Sequence, residues 1–310
     1  MSSKILWPDN KKFAFTIFDD TDRASLDNIK NVYDFLNKLG FKTTKSIWIG
    51  SNESENLEEG ITCNNTKYLN WLVDLEKKGF EIAYHNTTYS SSQRNEINIG
   101  LEKFKKYFDQ SYITMANHSS NKENIYWGSD RLTGLRKTFY NILTLYKKNN
   151  FYKGHNKSSD FFWGDLCKKN ITYVRNFVFS DINTLKSCPF MPYHDTTKPY
   201  VNYWFASSEG NNVNAFNKCL SVKNIDRLEK EGGACIMYTH LADGFYLNGK
   251  LSTQFVDQMK YLKEKNGWFV TVGTLLNFLK NKKKNSTITK EQRKYLEWKW
   301  LLNKIILGST

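Results

Sequence analysis

Short, β-rich apolar runs alternate with amphipathic segments along most of this chain, and that alternation constrains the fold more than any other feature. The run Phe13 to Phe18 (FAFTIF) is nearly continuously apolar, as expected of a strand covered on both faces in a parallel sheet. A helix is predicted over Leu26 to Leu39. Ser25 is placed to cap it, Ile29, Val32, Phe35 and Leu36 recur at helical spacing, and Gly40 ends it. Further strands are predicted at Thr44 to Gly50, Phe80 to His85, Ser111 to His118, Gly233 to His240 and Gly267 to Val272. Helices are predicted at Thr66 to Lys78, Ile97 to Phe108, Gly134 to Lys148, Val222 to Glu231, Thr253 to Glu264 and Val272 to Leu279. Repeated βα units of this kind argue for a parallel sheet or barrel.

Four of these strands deliver ionisable residues at their C-terminal ends: Asp19 and Asp20 after Phe18, then His85, His118 and His240. Parallel α/β folds place their chemistry on that face. Taken singly, a strand-end histidine reads as a hydrogen-bonded structural group, and Asp-Asp-Thr-Asp as a turn that caps the next helix. The chain holds only five histidines, however, and three of them close predicted strands. Carboxylate and imidazole groups brought together from separate strands suit a divalent ion such as zinc, with a position left open for water. A second carboxylate beside such a site can accept the water's proton, and a histidine across it can protonate a leaving group. His155 in YKGHNKSSD and His194 in PYHDTT read as turn residues and are not assigned to the metal.

FTIFDDTD resembles the first motif of the polysaccharide deacetylases, and GFEIAYHNTTYSS resembles their second. CIMYTHLADGF is similar to their late strand with its catalytic histidine, and GWFVTVGTLLNFL to their closing strand and helix. The resemblance spans about Phe13 to Leu279, and the first motif is the most specific. It implies a distorted (β/α)7-type barrel over residues 1–280, followed by a basic C-terminal helical extension over 281–310. It also implies Asp19 as the catalytic base, Asp20 and His85 as metal ligands, and His240 as the general acid. The family's second motif has another histidine four residues after the first, where this chain has Tyr89; a phenol with a pKa of about 10 is a poor zinc ligand. His118, closing the neighbouring strand, is the candidate for the third ligand. This departure resembles a divergent branch found with surface-polysaccharide, or O-antigen, genes. The activity implied is metal-dependent removal of an N-acetyl or related acyl group from an amino sugar. The alternative is a catalytically inactive carbohydrate-binding protein on the same fold.

Asn117, Trp127, Arg131, Trp163, Asp165, Arg175 and Trp204 lie in polar-aromatic stretches suited to sugar rings. Arg131 or Arg175 could orient a carboxylate or phosphate. Lys plus Arg number 45 against 31 Asp plus Glu, a net charge of +14 that favours anionic partners. The densest basic cluster, Leu279 to Asn285, carries neither a zinc-finger nor an aromatic-plus-basic RNA pattern, so nucleic acid is not expected. Five cysteines without a CxxC pair fit reduced thiols and a cytoplasmic protein. The N-terminal MSSKILWPDNKKF lacks the apolar core of a signal peptide, and no apolar run approaches the ~18 residues of a membrane span. That location favours a nucleotide sugar or lipid-linked glycan as substrate. The tail from Thr287 to Leu307 carries Leu296, Trp300, Leu301, Ile305 and Ile306 along a basic helix. Docking on the barrel is its expected role, with self-association or contact with an anionic membrane surface as the other two.

Overall fold

The structure is a computed structural model that describes residues 5–50, 60–147 and 150–307. Seven strands pair in parallel in chain order: β1 (Phe13–Asp19), β2 (Thr44–Ile47), β3 (Glu81–Tyr84), β4 (Thr114–Met115), β5 (Tyr173–Phe179), β6 (Tyr203–Ser208) and β7 (Ala234–Thr239). β7 returns to pair with β1 from Ala14 to Asp19, which closes the barrel. An antiparallel pair follows, β8 (Tyr246–Leu247) and β9 (Lys250–Leu251). The last strand, β10 (Gly267–Phe269), runs beside Phe13–Phe15 at the start of β1, whereas β2 pairs with its end at Phe18 and Asp19. Around these strands lie α1 (Leu26–Leu39), α2 (Thr66–Lys77), α3 (Arg94–Tyr107), α4 (Leu135–Leu143), α5 (Gly164–Asn170), α6 (Thr184–Ser187), α7 (Val213–Cys219), α8 (Val222–Glu231), α9 (Thr253–Glu264), α10 (Val272–Asn281) and α11 (Lys290–Leu307).

The local signals act as read. Ser25 and Asn28 form a reciprocal capping box at the start of α1, and Gly40 ends the helix in the left-handed conformation at φ 81°. Every residue of β1 is buried, as a strand between barrel lumen and helix layer must be. Two expectations differ. The strand expected over Ser111 to His118 shrinks to Thr114–Met115, because after the Ala116 N–H bonds the Tyr84 carbonyl the chain leaves the ladder and turns, with the Asn121 N–H bonded back to the His118 carbonyl. β6 lies in a stretch where no strand was predicted, its short apolar run giving way to polar Ser207 and Ser208. α4 ends at Leu143, and Lys148 of the predicted helix lies outside the described residues, as do 308–310 of the extension.

α11 docks on the barrel. Leu296, Trp300 and Leu301 are buried, whereas Ile305 and Ile306 are exposed. The Trp300 ring stacks on Tyr140 of α4 and lies 5.2 Å from Phe177 of β5. Glu297, also buried, pairs with Arg136 of α4. All five cysteines are buried and free. Among the described residues no helix is long and apolar enough to cross a membrane.

At the N-terminal end of the barrel, the buried carboxylate of Glu81 ties three strands and a helix together. It accepts hydrogen bonds from Thr44 Oγ1 of β2 (2.6 Å), Thr114 Oγ1 of β4 (2.8 Å) and the Gly273 N–H at the start of α10 (2.9 Å). Glu81→Leu leaves three donors without an acceptor, so a loss of roughly 2–4 kcal/mol is expected. The urea midpoint should fall with the slope unchanged; an unmoved midpoint would show that the carboxylate is not the tie.

Candidate active site

Neighbouring residues in a strand project to opposite faces, and this decides the fate of the carboxylates that end β1. Asp19 lies in register with Lys45 of β2 and Thr239 of β7. Its side chain points outward to the helix layer, where Lys45 Nζ (3.0 Å), the Tyr33 hydroxyl of α1 (2.9 Å) and the Leu241 N–H (2.8 Å) bind its oxygens. Asp19 is fully buried and does not line the cavity, so the structure corrects its expected placement as the base. Asp20 faces the other way, into the barrel mouth. Asp22, two residues on, shares that face.

The mouth holds a cavity of about 390 Å³, within the roughly 300–1,000 Å³ of small-molecule sites. Asp20, Asp22, His85, His118 and His240 all line it. Asp20 forms a fork with the buried Arg175 of β5, at 2.9 Å to Nη1 and 2.5 Å to Nη2. Asp22 stands at the focus of three imidazoles: His118 Nε2 lies 3.0 Å from it, His85 Nε2 3.3 Å and His240 Nε2 3.4 Å. Asp20, Asp22 and His85 present one ligand atom each within 4.8 Å of one another, a set able to hold a metal ion.

The far side of each ring fixes its tautomer. His85 Nδ1 meets the Ala116 carbonyl at 3.0 Å and His240 Nδ1 the Asn211 carbonyl at 2.7 Å. A carbonyl only accepts, so both Nδ1 atoms carry the proton. His118 Nδ1 lies 2.7 Å from Asn121 Oδ1. The Asn121 amide nitrogen is itself committed to Thr88 O, Ser90 O and Glu123 Oε1, so its oxygen must accept from His118. In the neutral state all three Nε2 atoms therefore aim lone pairs at the Asp22 carboxylate, an arrangement that only a cation can satisfy. Protons serve one way. A divalent ion serves the other, with hydrogen bonds behind each ring of the kind that orients metal-binding histidines.

The charges respond accordingly. Burial raises the Asp22 pKa, but hydrogen bonds from His118, His240 and His85 outweigh it and hold the carboxyl well below its ordinary value. Burial lowers His240, yet its bond to Asp22 and the charges of Asp20 and Asp22 raise it to about 9. His118 is raised for the same reason. Trp48 floors the site, with ring centroids 4.6 Å from His85 and 5.0 Å from His118.

Of the expected lining, Asn117, Trp127, Arg131 and Arg175 are present. Trp163 is not: its indole N–H is buried against the Glu123 carbonyl at 2.6 Å. Asp165 sits on the outer surface in a fork with Arg94 of α3. Trp204 is buried on β6, away from the cavity. Tyr89 does line it, 4.9 Å from the His118 ring. Asp22, Tyr238 and the Arg23–Asp243 pair at the rim were not anticipated. For Asp22 the signal was available, since a Asp-x-Asp spacing at a strand end puts both carboxylates on one face.

No protein-family model and no curated protein matches the sequence. Solved structures do. A protein described as a polysaccharide deacetylase from Mycobacterium smegmatis superposes over 93% of this chain and 98% of its own, at 10% identity and TM-score 0.52. An allantoinase does so over 89% and 93%, at 9% identity and TM-score 0.51. The chain thus has the deacetylase-type (β/α)7 barrel fold. A Bordetella bronchiseptica protein described as a polysaccharide deacetylase of O-antigen biosynthesis covers 96% of both chains at 11% identity, but its TM-score of 0.37 carries no argument.

Two outcomes follow from the geometry. If the cluster takes up a divalent ion on incubation, Asp22→Asn should abolish its retention in elemental analysis after dialysis, whereas Asp19→Asn should leave retention unchanged and lose roughly 3–5 kcal/mol of stability by stranding Lys45. In chelator-stripped protein, the raised His240 pKa contributes stability that is full below its ordinary 6.5 and lost as pH rises through about 9. That contribution is roughly 3 kcal/mol, so thermal melts should show a midpoint falling across this window, and His240→Gln should flatten the fall.

Proposed function

We propose that this protein is a metal-dependent amide hydrolase that removes an N-acetyl or related acyl group from an amino sugar during surface-polysaccharide synthesis. One observation carries the reading. In a single cavity, Asp22 is ringed by three imidazole Nε2 atoms, and a second carboxylate, Asp20, is held beside it by a bidentate arginine.

Asp22, His85 and His118 are the residues that would hold the ion, and zinc suits a carboxylate-imidazole set. When bound, such an ion supplies Lewis acidity, lowering the pKa of water and stabilising charge on a carbonyl oxygen. This assignment moves the ligand carboxylate from Asp20 to Asp22 and the base from Asp19 to Asp20. Asp20 takes a proton from the water whose oxygen attacks the acyl carbon, and Arg175 fixes the orientation in which it does so. His240 delivers a proton from Nε2 to the sugar nitrogen as the C–N bond breaks, releasing a carboxylate and a free amine. Its Nδ1–H stays on the Asn211 carbonyl and keeps the ring aimed at the cavity. A nucleotide sugar or lipid-linked glycan, met in the cytoplasm, is the form of substrate that fits this reading.

The test is acetate release from free and nucleotide-linked N-acetylated amino sugars. Chelation should abolish it and zinc or cobalt restore it. Asp20→Asn should lower kcat by about 10²–10⁴ with KM within a few-fold; undiminished release would remove the base assignment. Sugar binding with neither retained metal nor turnover would mark a carbohydrate-binding protein instead, the reading that Tyr89 in place of a histidine favours.

A further inference from the structure

Five cationic side chains are buried among the described residues: Lys45, Arg131, Arg136, Arg175 and Lys198. Four of them sit against a carboxylate, namely Asp19, Glu297, Asp20 and Asp195. Arg131 has no such partner. A buried charge left without a counter-charge is costly, so what surrounds this guanidinium asks for a reason.

Two tryptophans hold it. The Arg131 guanidinium carbon lies 4.0 Å from the Trp127 ring centroid and 4.4 Å from that of Trp300 on α11. Aromatic faces attract a cation and fix the plane of the fork, but they carry no net charge to neutralise it. Along the edge, Nη1 donates to the Asn176 carbonyl at a long 3.3 Å, and Nε has no hydrogen-bond partner. The phenols of Tyr140 and Tyr152 are the other polar neighbours, and burial still pulls the Arg131 pKa down. Lys304 of α11 is close enough that burial and Arg131 lower its pKa, with Glu209 acting in the opposite sense. Arg131 lines the same cavity as the histidines.

We propose that Arg131, clamped between Trp127 and Trp300, is an anion subsite of this cavity that recognises an oxyanion on the substrate, a sugar carboxylate or phosphate. A planar guanidinium with its faces covered offers its edge donors to two oxygens at once, the geometry in which arginine surpasses lysine. The substrate class named here rests on the amino-sugar reading, whereas the binding of an oxyanion does not.

The experiment is calorimetric titration of the full-length protein with inorganic phosphate, then with glucose 1-phosphate and glucuronate, using the natural sequence and Arg131→Gln loaded with zinc and Asp22→Asn as the metal-free control. The subsite predicts saturable phosphate binding whose Kd rises at least tenfold in Arg131→Gln and stays within about threefold in Asp22→Asn. The two sugars then show whether phosphate or carboxylate is preferred. No phosphate binding at 10 mM (roughly the weakest affinity worth a site), or binding lost in Asp22→Asn and kept in Arg131→Gln, overturns the inference. Should Arg131→Gln fail to fold, Arg131→Lys takes its place: a Kd raised threefold or more supports the fork, and an unchanged Kd overturns it. Acetate release with no anion site would sink this inference alone. An anion site without acetate release would sink the hydrolase and leave the subsite standing.

Discussion

The end of β1 is the constraint on which the site depends. Its backbone is paired on both edges at Asp19, to Lys45 and to Thr239, so the strand cannot rotate to offer a different face. Strand alternation then sends Asp19 to the helix layer and Asp20 to the lumen. Burying the Asp19–Lys45 pair is of doubtful benefit to stability taken alone. Its value here is positional. Asp19 also accepts from the Leu241 N–H, the residue after His240, and from Tyr33 of α1. The outward carboxylate thus sets the height of the His240 loop while the inward one faces the chemistry, and the Asp20 N–H, bonded to the Thr239 carbonyl, locks the two together.

Charge balance gives each carboxylate in the cavity a distinct task. Asp20 is matched by a full guanidinium, which orients it. Asp22 is matched only by imidazoles, whose charge depends on whether a proton or an ion occupies the space between them. The site thereby separates a fixed pair from a conditional one, which is what the proposed base beside the proposed ligand would require. The Arg23–Asp243 pair at the rim is exposed and 3.3 Å apart, and pairs of that kind contribute little.

What the sequence reveals about this fold is its periodicity. The βα alternation, the Ser25 cap and the Gly40 stop are local signals, and they place most strands and helices within a few residues. The histidines His85, His118 and His240 were legible because strand ends are local too. Asp19 was misplaced because a motif names residues in a row, while the fold assigns them to faces; Asp22 was overlooked for the same reason. Trp163 and Asp165 were misjudged because composition says nothing of depth: one indole is spent on the Glu123 carbonyl, and the carboxylate on a surface arginine from another helix. β6 was missed because its apolar run is short and turns polar at Ser207 and Ser208.

The C-terminal helix treats two arginines of the same segment differently. To Arg136 it offers a carboxylate, Glu297, which neutralises the charge and rivets α11 to α4. To Arg131 it offers an indole, Trp300, which holds the guanidinium in plane and leaves its charge uncancelled. An acid at the second position would serve docking as well as Glu297 does at the first, so docking alone does not account for the choice. The extension therefore backs the cavity wall through Arg131: it keeps one cation buried and oriented beside the residues that would do the chemistry.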